Sequence, residues 1–183
     1  MEIEEIYAHY RELVRRYVPP WGFVLKTDCH NEAVSGFKDL GDVLNAKRTT
    51  YVEIDLETIE RAKERYPDRH FTHGDIRALD FRDEYFSTVV DLSTIDHIPL
   101  EDVPVAISEY HRVLKDGGRL LMVAWCCDER REEPTDWNGP QYFLYEPDLM
   151  EALIGFDLIR VEEFHRGGDI YLIEIVGDKC ERD

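Results

Sequence analysis

The chain predicts an α/β domain built on a mostly parallel sheet, with helices on both faces and an antiparallel hairpin at its C-terminal end. Three observations carry this. Short β-branched or apolar runs alternate with helical stripes from residue 24 to residue 114. The run RLLMVAW at 119–125 is continuously apolar, as strands buried on both faces of a parallel sheet are. The segment DLIRVEEFHRGGDIYLIEIV at 157–176 reads as two strands folded back around Gly167-Gly168. With 183 residues, 43% of them hydrophobic, the chain suffices for one well-buried core, so 1–183 is expected to be a single domain.

Taken in order, Ile6, Tyr7, Tyr10, Leu13, Val14 and Tyr17 recur at steps of three and four and predict an N-terminal helix within residues 1–20, ended by Pro19-Pro20. GFVLKT follows as a first strand. Ala33, Val34, Phe37, Leu40 and Leu44 suggest a helix that Gly36 and Gly41 weaken. TTYVEI at 49–54 is a second strand, and LETIERAKERY behind it a helix that stops at Pro67. HFTHGD is a short third strand and YFSTVVDLS a fourth. Val103, Ala106, Ile107, Tyr110, Val113 and Leu114 then line one face of a helix, with Gly117-Gly118 as its stop. Residues 126–145 break the rhythm with DERREE, Pro134, Asn138-Gly139-Pro140 and several aromatics; a long loop of this kind often serves as a lid or substrate loop. EPDLMEALIGF is a short helix before the hairpin.

Charge narrows the partners. Against 22 basic residues stand 40 acidic ones, a formal charge of −18 that repels phosphate backbones and anionic lipid, so no nucleic acid and no membrane are expected. No apolar run approaches the length of a membrane span. The start, MEIEEIYAHY, is acidic and amphipathic and does not read as a secretory signal, which makes the cytoplasm the expected compartment. Cys29, Cys126, Cys127 and Cys180 show no CxxC spacing, so neither a disulfide framework nor a thiolate metal site is indicated. His70, His73 and Asp75 do not make a metal site either, since His70 points away from the other two on a strand.

Three phrases give the chain a family likeness. YVEIDLETIERAKER is similar to "gvDis…iE.Ak", HGDIRALDFRDEYFSTVVDLSTIDHI to "gDa..lpf.d.sFD.vv....l.hi", and EYHRVLKDGGRLLMV to "E..RVLkpGGrl". From about Phe23 to Val176 the chain thereby resembles the class I S-adenosylmethionine-dependent methyltransferases, in particular their small-molecule, type 11-like branch. The resemblance implies a Rossmann-like fold with a seven-stranded sheet, S-adenosylmethionine as cofactor, and a small-molecule methyl acceptor. It leaves a homodimer open.

It also implies roles. The acid at the end of the second strand accepts the ribose hydroxyls in the family, which points to Asp55, with Leu56 beside it; Asp55 would equally cap the following helix. The acid of the "gDa" phrase accepts the adenine amino group, and the next residue covers the ring, which points to Asp75 and Ile76; a turn Asp after Gly74 is the alternative. Asp91, Leu92 and Ser93 fall at the C-terminal end of the fourth strand, where open α/β sheets bind ligands. His97, just beyond, is either a general base or a packed histidine.

The family writes its first loop as "vLDlGCGtG", and here the chain departs, with VLKTDCHNEAVSG at 24–36. Lys26 stands where an acid is expected, and Asp28 and His30 stand at two of the glycines. Two readings follow. In one, TDCHNEA from Thr27 onward is a rewritten cofactor loop, Asp28 or Glu32 supplies the displaced carboxylate, and Ser35-Gly36 provides the tight approach that glycine permits. In the other, Asp28, Cys29 and His30 fill the space, and the fold is a non-catalytic binding or interaction module. Acids at both the ribose and the adenine positions favour the first. A cleft bordered by Asp28, Asp55, Asp75 and Asp91 would suit a sulfonium cation. For the acceptor, Trp125, Trp137, Tyr142, Phe143 and Tyr145 offer flat surface with polar tips, and Tyr7, Tyr10 and Tyr17 face them from the N-terminal helix.

Overall fold

A computed structural model describes residues 3–34, 39–131, 134–136 and 140–180. Among the described residues eight strands form one sheet, and five α-helices accompany it. β1 (Val24–Lys26), β2 (Thr49–Glu53), β3 (His70–His73), β4 (Phe86–Leu92) and β5 (Leu114–Cys127) lie in the spatial order 3-2-1-4-5, every neighbour parallel. Two further two-residue strands, β6 (Thr135–Asp136) and β7 (Pro140–Gln141), pair with each other outside the main sheet. β8 (Leu144–Tyr145) runs parallel to the tip of β5, where it meets Cys126 and Cys127. β9 (Phe156–Gly167) and β10 (Ile170–Lys179) form the expected antiparallel hairpin, with β10 inserted next to β5. The sheet has one strand more than the seven expected, because the loop after β5 returns to pair beyond the point where β4 ends.

β5 shows why the apolar run had to be a central strand. Leu121 and Val123 join α1 (Ile3–Tyr17) in one buried cluster, whereas Leu120, Met122, Ala124 and Cys126 join α4 (Val103–Val113) and α5 (Glu146–Ala152) in another. Alternate side chains of one strand therefore supply both cores. α1 places Glu4 and Glu5 in its first turn and Arg15 and Arg16 in its last, matching the helix dipole at both ends.

The helix expected on Ala33 to Leu44 is much shorter. α2 spans His30–Val34, and from Asp39 onward the chain turns instead. There the Asp39 carboxylate accepts the Gly41 N–H at 2.9 Å and clasps both arms of the Arg69 guanidinium. A Cβ on Gly41 would lie 1.9 Å from that guanidinium, so glycine at this position serves the ion pair. α3 (Leu56–Arg65) connects β2 to β3. Gly36, Phe37 and Trp137 lie outside the described residues.

Candidate functional site

Strand order reverses between β1 and β4, and the crevice outside the carboxyl ends of strands at such a switch point is where open α/β sheets take ligands. A cavity of about 720 Å³ opens there, within the range of small-molecule sites. Its walls come from the turns after β1, β2, β3 and β4, from Tyr7 and Tyr10 of α1, and from Trp125, Pro140, Gln141 and Phe143 around the loop after β5.

At the end of β2 the lining residues are Glu53 and Ile54. Glu53 Oε2 accepts the Cys29 N–H at 3.2 Å, and Oε1 accepts those of Ile54 and Asp55 at 2.9 and 3.1 Å. Ile54 presents an apolar side chain that is 59% exposed. Asp55, expected to border the site, does not. It is the N-cap of α3 and accepts the Thr58 N–H at 2.7 Å, a bond that lowers its pKa, and both it and Leu56 lie on the exposed surface outside the cavity lining. The acid that faces the cavity is two residues earlier.

After β3, Gly74, Asp75 and Ile76 all line the cavity. The Asp75 carboxylate is engaged: it accepts the backbone N–H of Arg77 at 2.9 Å and takes the guanidinium through Nε at 3.0 Å and Nη2 at 2.6 Å. These contacts hold its pKa below the usual carboxylate range. Arg77 in turn reaches Asp102 through Nη1 at 2.6 Å.

At the end of β4, Leu92, Ser93 and His97 line the cavity, but Asp91 does not. Asp91 is fully buried beneath the turn, where it accepts the N–H groups of Thr94 and Ile95 at 2.8 and 3.3 Å and the Tyr110 hydroxyl at 2.6 Å. Burial pushes its pKa up to about 6, so it is a structural brace and not an exposed anion. Ser93 adopts a left-handed backbone, φ 63°, and its hydroxyl lies 3.1 Å from that of Tyr10. The ring of His97 meets the carbonyl of Pro140 through Nδ1 at 2.9 Å.

The first loop brings together residues that the sequence alone did not connect. Lys26 is 1% exposed, and its ammonium donates to Asp28 O and Asp28 Oδ2, both at 3.0 Å, and to Glu32 Oε2 at 3.2 Å. Asp28 and Thr27 line the cavity, and Thr94 Oγ1 bridges them, accepting from Thr27 at 2.9 Å and donating to Asp28 at 3.2 Å. Glu32 is wholly buried behind them, its Oε1 without a partner. Burial raises its pKa to about 7 in spite of Lys26. Cys29 points away, into a cluster with Tyr51, Ile59, Ala62 and Phe71. Among the described residues no group of acids, histidines and cysteines is arranged to hold a metal ion, and no helix is long and apolar enough to cross a membrane.

Sheet order, inserted hairpin and cavity position are those of the class I S-adenosylmethionine-dependent methyltransferase fold. A methyltransferase-domain family profile matches residues 33–122. The chain is 35% identical over 126 residues to the demethylmenaquinone methyltransferase of Streptomyces griseus, a match covering 69% of this chain and 50% of that protein. With the eEF1A lysine and N-terminal methyltransferase of Mus musculus it shares 29% over 120 residues, 64% of this chain and 17% of that protein. The chain thus spans half or less of the length of these relatives. In fold it resembles the geranyl diphosphate C-methyltransferase of Streptomyces coelicolor A3(2), solved with Mg²⁺, geranyl diphosphate and S-adenosyl-L-homocysteine, with a TM-score of 0.74, 12% identity, and coverage of 97% of this chain and 79% of that one.

Proposed function

We propose that the chain is a methyltransferase that holds S-adenosylmethionine in this cavity and methylates a small-molecule acceptor. The observation that carries the reading is the open cavity itself, lined by an acid at the end of β2 and another after β3, with the side chains of the rewritten first loop forming its wall and not its filling. The residues present fit the cofactor. Glu53 takes the ribose hydroxyls, the role the family likeness assigned to Asp55. Ile54 and Ile76 pack on the adenine, and Asp75 receives its amino group once Arg77 is displaced toward Asp102. Asp28, flanked by Thr27, Leu92 and Ser93, faces the ammonium end. When bound, the cofactor supplies an electrophilic methyl group on a sulfonium. The protein's part is to align the acceptor and exclude water, and alignment alone is worth about 7–11 kcal/mol of a barrier.

The relatives differ in acceptor: the name of one specifies a demethylmenaquinone, that of the other a protein. A small molecule is supported here by the enclosure of the acceptor side between α1 and the loop after β5. Titration calorimetry with S-adenosylmethionine and S-adenosylhomocysteine tests the reading. Binding in the micromolar range that Glu53→Ala weakens at least about tenfold is expected; no heat from the wild type would instead favour a non-catalytic module on this fold.

A further inference from the structure

We propose that the acceptor is a flat aromatic molecule, uncharged or cationic, carrying an O–H or N–H whose proton passes to Nε2 of His97. This rests on the cofactor reading and specifies its second substrate.

Shape and charge argue for the first half. The acceptor side of the cavity has aromatic walls: Tyr7 and Tyr10 pack edge to face at 5.3 Å on α1, and Trp125 packs at near right angles against Phe143 at 6.4 Å and His165 at 6.2 Å. Such surfaces favour a planar ring over a flexible chain. Among the described residues that line the cavity the one permanent cation is Arg77, and its guanidinium is already shared between Asp75 and Asp102. Asp28 and Glu53 stand in the same lining, on a chain with a formal charge of −18. A carboxylate or phosphate on the acceptor would therefore lose its hydration without gaining a permanent counter-charge from these residues.

The second half comes from a tautomer. The Pro140 carbonyl can only accept, so the His97 Nδ1 at 2.9 Å must carry the hydrogen. In the neutral ring that leaves the lone pair on Nε2, the form a general base requires. In the transfer, the acceptor heteroatom bonds the methyl carbon as the methyl–sulfur bond breaks and its electron pair stays on sulfur. The O–H or N–H bond leaves its electrons on the heteroatom, and His97 takes the proton.

Three matched probes read this by calorimetry on protein saturated with S-adenosylhomocysteine: 2-naphthol, 2-methoxynaphthalene and 2-naphthoate. The naphthol is expected to bind about tenfold tighter than either of the others, the value of about one net hydrogen bond. In His97→Phe the naphthol and its methyl ether should bind alike, with the ether unchanged. Equal or tighter binding of the naphthoate, no preference for naphthol over ether, or no binding of any probe overturns the proposal. If His97→Phe fails to fold, the wild-type comparison of the three probes still decides. Should S-adenosylhomocysteine itself not bind, the cofactor reading fails instead.

Discussion

The ends of β2 and β3 and the end of β1 border the same cavity, yet they are built from different materials. After β3 the wall is drawn tight by backbone: the Gly74 N–H reaches the Glu53 carbonyl at 3.0 Å, and a Cβ on Gly74 would sit 2.7 Å from Val52. Its carboxylates lie partly exposed. After β1 there is no glycine before Val34, and the loop turns instead around a buried ammonium held by Asp28 and Glu32. Burying charge carries a large desolvation penalty, which the mutual attraction of the group must offset. A wall made of backbone tolerates loss of a neighbouring side chain, whereas a wall made of charge does not.

The largest test of this contrast is Lys26→Met. It strands Asp28 and the buried Glu32 without their cation, and is expected to cost about 3–5 kcal/mol of stability in urea denaturation. Lys26→Met combined with Glu32→Gln removes both buried charges and should recover most of that loss. A Lys26→Met protein as stable as wild type would erase the contrast.

Glu53→Ala, on the backbone-built side, removes the acceptor of the Cys29, Ile54 and Asp55 N–H groups and should cost about 1–2 kcal/mol, less than Lys26→Met, while weakening S-adenosylhomocysteine by at least about tenfold, one lost charge-assisted contact. Its neighbour differs in binding: Asp55→Ala is expected to leave binding unchanged and to cost about 1 kcal/mol as a lost helix cap. Reversal of these two outcomes would return the ribose role to Asp55.

A smaller effect separates the two regions by pH. Glu32 has its pKa raised to about 7 in the folded chain, above the ordinary value near 4.3. The folded state therefore holds the proton more tightly, and the contribution of Glu32 falls as pH climbs between those values and levels off above the upper one. Asp91 and Asp96, raised by burial to about 6 and about 7, add to the same slope. Asp75, lowered by Arg77, acts in the opposite sense, and its contribution is lost only on acidification below its ordinary value near 3.9. The melting temperature should thus drop from pH 5.5 to pH 8. Glu32→Gln should shrink the drop by a few degrees, at about 2–4 °C per kcal/mol for a chain of this size, and Asp75→Asn should leave it intact.

Periodicity made most of the fold legible. The stripe on α1, the two-faced run of β5 and the hairpin are each repeats of apolar residues at a spacing that one type of element satisfies. The site was legible in outline, at the ends of β2, β3 and β4, but not in register. Asp55 is an acid after a strand, but the residues behind it also have the spacing of a capped helix, with Thr58 three positions on. The cap claims Asp55 for α3, and β2 ends at Glu53. Asp91 stands at a strand end as well, and what takes it out of the cavity is the Tyr110 hydroxyl, which only the packing of α4 brings near. The Lys26 cluster had no local signal, because a buried lysine depends on where the loop carries residues two and six positions later.

The left-handed backbone of Ser93 has a bearing on how this protein can vary. Such a conformation costs a non-glycine residue about 1–2 kcal/mol and all but bars β-branched replacements. The floor of the chamber is thereby closed to β-branched side chains, and the opposite side, along α1 and from Pro140 to Phe143, carries no such backbone restriction among the residues with positive φ.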